Sequence, residues 1–168
     1  MKIDLSKLKI GKSVIFKESL DVLKFYDRLS YPLDKIINLN ADAEVTDYSD
    51  FIAVNITINS DVLLVCSYTL EKFQEHIKDH ISLQFSSNKE DENSEEDIIY
   101  FKGNEINLDP YIIDLLFASI PTRPIKKGAK LPKGGENYEV YTEDEYLESE
   151  KNKTDSRFDK LLDIDLDE

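Results

Sequence analysis

The sequence predicts an α+β fold: an antiparallel β-sheet, open or curled toward a barrel, with one main packed helix and a flexible acidic C-terminal tail. Three observations predict it. Apolar and polar residues alternate across 36–58, the period of half-buried strands. One segment, 109–120, begins with Asp109-Pro110 and ends against Pro121, which marks a bounded helix. Beyond Leu147 the chain turns polar and charged through 149–155.

Taken in order, Ile3, Leu5, Leu8 and Val14-Ile15-Phe16 supply apolar edge pieces, and 20–29 reads as a short helix. Ile37, Leu39, Ala41, Ala43 and Val45 point one way, and Ile52, Val54, Ile56 and Ile58 repeat the period. Between them Thr46-Asp47-Tyr48-Ser49-Asp50 has the residues of a hairpin connection. Asn59-Ser60-Asp61 reads as a second turn, and 62–69 as a more deeply buried strand, giving an antiparallel meander. Segment 73–85 supports two periods. Phe73, Ile77, Ile81 and Phe85 fit a helix, whereas Ile81, Leu83 and Phe85 alternate; a strand is preferred, at least in the second half. The acid-crowded stretch 88–97 reads as a solvated loop, 98–101 restarts a strand, and 102–105 turns it.

The helix start is the clearest signal in the chain. Asp109 at the N-cap would accept orphan N–H bonds, and Pro110 has no N–H to lose. Ile112, Ile113, Leu116, Phe117 and Ile120 then form a stripe that must lie on the sheet. Segment 122–141 carries prolines, glycines and lysines and reads as an irregular basic arm. Thr142-Glu143-Asp144-Glu145 is a capping-box pattern opening a short helix through Tyr146 and Leu147. A polar linker over 149–155 and a final helical segment over 156–162 complete the chain. Residues 1–148 are thus expected to form a single domain, with 149–168 as linker and tail.

Composition narrows the function. The 168 residues hold 21 Lys and Arg against 35 Asp and Glu, a net charge of -14. Such a field repels polyphosphate at long range, so broad nucleic-acid binding is disfavoured and basic partners are attracted. The apolar runs fall short of a membrane span and the N-terminal residues lack a signal pattern. One cysteine allows no internal disulfide, which fits a reducing cytoplasm.

No catalytic residue is nominated. Cys66 lies between Val65 and Ser67 with no neighbouring base in sequence, which suits a buried small hydrophobe better than a nucleophile. His76 and His80, the only histidines, would share a face on a helix, but no ligating cysteine stands near them, so neither a metal nor any other cofactor is expected. Lys133-Gly134-Gly135-Glu136 matches no phosphate-binding motif and reads as a surface turn. Arg123, Lys126, Lys127, Lys130 and Lys133 form the one basic run of an acidic chain, suited to phosphate or to an acidic protein surface.

Several of these segments together resemble the YceD family. Val65-Cys66-Ser67-Tyr68-Thr69-Leu70-Glu71 is similar to its Cys-x-Arg-Cys-Leu signature. Ile106-Asn107-Leu108-Asp109-Pro110, Asp114 and the run ending Ile120-Pro121 resemble its acidic-residue helix closed by Leu/Ile-Pro. The stretch 131–146 is similar to the YlbN-like variant, and 156–162 with Arg157 resembles the closing Pro-Arg-x-x-x-Leu segment. The likeness spans roughly 36–162. It departs where Tyr68 replaces the signature arginine and Thr69 its second cysteine, and where the lysine arm replaces a Gly-Leu-Cys-x-x-Cys-Gly cluster, so no zinc site carries over.

The resemblance implies a non-enzymatic ribosome-biogenesis factor, supporting accumulation or assembly of large-subunit rRNA in the cytoplasm. Its implied partners are large-subunit components or assembly factors. Cys66, Leu70, Asp114, Pro121 and Arg157 are its motif residues; Tyr68, Thr69 and the five basic residues are the candidate contacts. A chaperone-like module for a basic ribosomal protein and a metal-dependent hydrolase of rRNA precursors are the alternatives.

Overall fold

The computed structural model describes residues 1–88 and 98–151. The chain divides into two compact units, Met1–Lys126 and Lys127–Glu168.

In the first unit, β1 (Lys2–Asp4), β2 (Ser13–Ser19), β3 (Leu33–Asp47), β4 (Ile52–Val65), β5 (Lys72–Ser86), β6 (Ile98–Tyr100) and β7 (Glu105–Asn107) precede α1 (Asp109–Ser119). Strands β2-β3-β4-β5-β6 form one sheet and β1-β7 a two-stranded ribbon. The sheet is not the closed barrel that was one expectation: among the described residues β2 and β6 are its edges. Nor is it purely antiparallel, because β6 runs parallel to β5. The short helix expected over 20–29 is present as a 3-10 helix, Val22–Arg28, with the Asp21 carboxylate accepting from the Leu23 N–H.

The core lies on one face of the three long strands. Every second residue of β4, from Ile52 to Leu64, is buried, and β3 contributes Leu33, Ile36, Leu39, Ala41, Ala43 and Val45. Helix α1 packs on that face through Ile112, Ile113, Leu115 and Leu116, with Phe117 and Ile120 at its margin.

Three expectations are corrected. The turn at Asn59-Ser60-Asp61 does not exist; β4 runs straight through it, with Ser60 fully buried. Turn-prone residues persist in the strand because their polar groups are satisfied across it. The Ser60 hydroxyl donates to the Asn38 carbonyl at 2.6 Å, the Asn38 side-chain amide donates to the Asp61 carboxylate, and the Asp61 N–H donates to the Asn38 side-chain oxygen. Ile37 is not on the core face. Register shifts between Leu33 and Lys35 and between Ile36 and Asn38 put Ile36 inside and leave Ile37 44% exposed. Asp109 is the first helical residue rather than the N-cap, which falls to Leu108. Its carboxylate instead takes the Met1 ammonium, and the Asn107 side chain accepts from the Asp109 N–H. Segment 73–85 is strand throughout.

In the second unit, 127–142 is irregular and α2 (Glu143–Lys151) follows. The capping box forms as the sequence indicates: the Thr142 N–H donates to the Glu145 carboxylate, and the Glu145 N–H donates to the Thr142 hydroxyl. The helix continues to Lys151, past the expected linker start at 149. All of the expected loop over 88–97 except Asn88, the closing segment 156–162 and Arg157 lie outside the described residues.

Leu116→Ala should cost about 2 to 5 kcal/mol of stability, and Ile36→Ala a similar amount, whereas Ile37→Ala should cost well under about 1 kcal/mol. Urea unfolding of the three variants checks this. Equal losses at 36 and 37 would mean the bulged register is wrong.

Candidate functional site

Because β4 ends at Val65 and β5 starts at Lys72, the Cys66 motif forms the turn between them. The Cys66 N–H donates to the Glu71 carbonyl and the Leu70 N–H to the Cys66 carbonyl, each at 2.9 Å, so the turn is tightly closed. Closure forces Leu70 to a φ of 58°. A leucine in that region costs roughly 1–2 kcal/mol, and Leu70 is 72% exposed, so packing does not offset the strain. Strain of this kind concentrates where a protein presents a side chain for use.

The start of the basic arm is fastened to the same turn. Pro121 ends α1, buried Pro124 accepts through its carbonyl from the Ser67 N–H at 2.8 Å, and the Lys126 N–H reaches the Cys66 sulfur at 3.4 Å. The Lys126 ammonium pairs with Glu71 at 2.9 Å, leaving it less available than a free lysine. Pro121, Pro124 and Ile125 lie over Leu64, Phe73 and Ile77 around a small cavity of about 200 Å³.

Beside this cluster lies a cleft of about 370 Å³ lined by Arg28, Tyr31, Pro32, Phe117, Ile120 and others. Arg28 pairs with Asp114 at 2.7 Å and lies 5.0 Å from the centre of the Phe117 ring. The Tyr31 hydroxyl is 3.3 Å from the Ser67 hydroxyl, which ties the cleft to the turn. Asp114 therefore orients an arginine. Both partners are half exposed or more, so the pair adds little stability.

Cys66, Thr69, Leu70, Pro121 and Lys126 thus converge on one end of the sheet. Tyr68 is half-buried there, and Thr69 and Arg123 are exposed. Lys127, Lys130 and Lys133 are exposed in the second unit. Reasoning from sequence missed Arg28 and Tyr31, which sit far from the motifs along the chain. Arg28's rarity, as one of three arginines, was the only available signal.

The Cys66 thiol is fully buried. Burial pushes its pKa up, but the Thr69 hydroxyl and the backbone N–H groups of Lys126, Thr69 and Tyr68 outweigh that and bring it down to about 7. No base adjoins it among the hydrogen-bond partners, so the donors' evident role is to hold the turn.

His76 and His80 lie on strand β5, not on a helix. At about 3.3 Å rise per residue their backbones are roughly 13 Å apart, too far for one metal ion. His76 Nδ1 contacts Asp61 at 3.0 Å. Hydrogen bonds from Asn38 and His76 hold the Asp61 carboxyl below its usual range. Among the described residues no three His, Cys, Asp or Glu side chains gather into a metal-binding group. Among them, too, no helix is long and apolar enough to cross a membrane.

Residues 54–165 match the family model described as "Large ribosomal RNA subunit accumulation protein YceD". No curated protein and no solved structure matches the chain.

The thiolate absorbance of Cys66 should rise with a midpoint near 7 instead of 9. Thr69→Val should move that midpoint upward by removing one donor to the sulfur. A folded-state pKa below the unfolded value adds stability that grows as pH rises from about 7 to about 9 and is lost below. An unchanged midpoint in Thr69→Val would contradict the geometry.

Proposed function

We propose that this chain, which belongs to the YceD family, acts in the cytoplasm as a non-enzymatic binding factor for the maturing large ribosomal subunit. The family match carries the reading, since it covers 54–165 and the family is named for large-subunit rRNA accumulation. The geometry supports binding as the mode of action. The motif residues are spent on closing a turn, fastening the arm to it and presenting Leu70, whereas none is arranged as a nucleophile with its base.

On this reading the contact surface is the end of the sheet bearing Tyr31, Leu70 and Ile125, all exposed, with Arg123 beside them. Exposed apolar side chains suit a protein or a folded ribonucleoprotein surface better than bare duplex. In the second unit, exposed Lys127, Lys130 and Lys133 carry a local positive charge suited to ribosomal RNA within a chain of net charge -14.

Cells lacking the protein should contain less mature large-subunit rRNA relative to small-subunit rRNA. Leu70→Gly removes the side chain at a φ that glycine adopts freely, so it should keep the fold while reproducing part of the defect. Charge reversal of Lys127, Lys130 and Lys133 should do the same. Normal subunit ratios in the deletion strain would reject the role. A defect in that strain with none in either variant would reject only the assigned surface.

A further inference from the structure

The second unit carries a groove of about 610 Å³ that the family motif end does not involve, and the large-subunit reading leaves its use open. Tyr138, Tyr141 and Tyr146 line it together with Glu136 and Glu139. All three rings are exposed, by 63%, 45% and 52%, and Leu147, next in sequence to Tyr146, is 50% exposed. Four large apolar side chains within ten residues, none in a core, form the kind of surface that a monomer keeps for a partner.

The rings are positioned. A Cβ on Gly135 would stand 2.5 Å from the Tyr138 ring, and one on Gly134 would stand 2.6 Å from the Tyr138 carbonyl oxygen. The two glycines, read from sequence as a plain surface turn, let the ring lie directly on the backbone. Gly135 and Tyr138 also form a β-bridge that closes the loop. Tyr146 is held by α2, whose start is fixed by the Thr142–Glu145 capping box, and the Tyr141 hydroxyl donates to Glu139.

The two charged residues that line the groove, Glu136 and Glu139, are both acidic. From Glu136 to Glu150 the sequence holds seven carboxylates and no lysine or arginine. Aromatic faces beside carboxylates favour a cation with a flat face. A guanidinium stacks on tyrosine and pairs with carboxylate at once, which an ammonium does less well. A phosphate backbone would be repelled from the same surface.

We propose that this groove binds an arginine-rich segment of a basic protein. The inference deepens the ribosome-biogenesis reading and takes from it only the supply of such partners, because proteins that bind rRNA are rich in arginine. Docking orders the peptide between the Tyr138 and Tyr146 rings, with Glu136 and Glu139 satisfying the guanidinium N–H groups.

The test is titration of the full chain with three synthetic twelve-residue peptides, arginine-rich, lysine-rich at equal charge, and glutamate-rich, and with a twelve-nucleotide single-stranded RNA. The arginine peptide should bind about fivefold or more tightly than the lysine peptide, and the other two should not bind. Tyr138→Ala should remove the arginine preference. Gly135→Ala should weaken binding several-fold with every ring and carboxylate retained, provided circular dichroism shows α2 intact. Should either variant lose α2, the Glu136→Gln/Glu139→Gln double variant is read instead and should weaken the arginine peptide several-fold. Equal affinity for the two basic peptides would overturn the proposal and leave only a nonspecific acidic field. RNA bound at the groove would overturn it in favour of a nucleic-acid site. Peptide affinity and subunit ratios are separate readouts, so failure of one reading does not decide the other.

Discussion

The hydrogen bond from the Ser60 hydroxyl to the Asn38 carbonyl permits much of the rest. With it, β4 carries its period of two for fourteen residues, and the chain reaches the far end of the sheet before reversing. Had 59–61 turned, the Cys66 motif would have fallen mid-sheet, away from Pro121 and Pro124. An unmade bond there would leave a buried hydroxyl at a cost of about 1–3 kcal/mol. Satisfied, Ser60 is tolerated in an otherwise aliphatic row of Ile56, Ile58, Val62 and Leu64. The long strand also provides the platform on which α1 lays Ile112, Ile113 and Leu116, and α1 in turn delivers Pro121 to the turn at 66–71.

That geometry gives the family motif a structural meaning. Cys66, buried and surrounded by donors, is the knot that joins the turn to the arm through the Lys126 N–H. Thr69 stands where the resembling signature has a second cysteine, and its hydroxyl serves the Cys66 sulfur as a donor. Tyr68 occupies the signature's arginine position, yet an arginine is not missing from this end of the molecule. Arg28 arrives from another part of the chain, oriented by Asp114 and by the Phe117 ring. The outcome is an end of the sheet at which Tyr31, Leu70 and Ile125 are exposed beside a turn closed by backbone hydrogen bonds.

Much of the fold was legible because binary patterning is local. The α+β class, the sheet of long antiparallel strands, the α1 stripe and the capping box at Thr142 all follow from spacing within one element. What failed depended on partners elsewhere. Ser60 looks like a turn residue until Asn38 lies opposite it, and Ile37 looks inward until the bulged register of β3 turns it out. Asp109 looks like a cap until the Met1 ammonium claims its carboxylate. For the site, the motif turn and the arm were both visible, but their attachment was not. The contacts of Arg28 and Tyr31 span 86 and 36 residues, beyond any local pattern. The Gly134-Gly135 pair was visible only as a turn, since the ring lying on it comes from the loop's other side.

The central claim is that the end of the sheet bearing Leu70 meets the maturing large subunit. Placing a photo-crosslinking residue at position 70, and as a control at exposed Lys78 in the middle of β5, tests it in living cells. The account predicts that irradiation traps the position-70 protein on large-subunit precursor particles in a sucrose gradient, while the position-78 protein stays near the top. Trapping on small-subunit particles, or equal trapping from both positions, would contradict it.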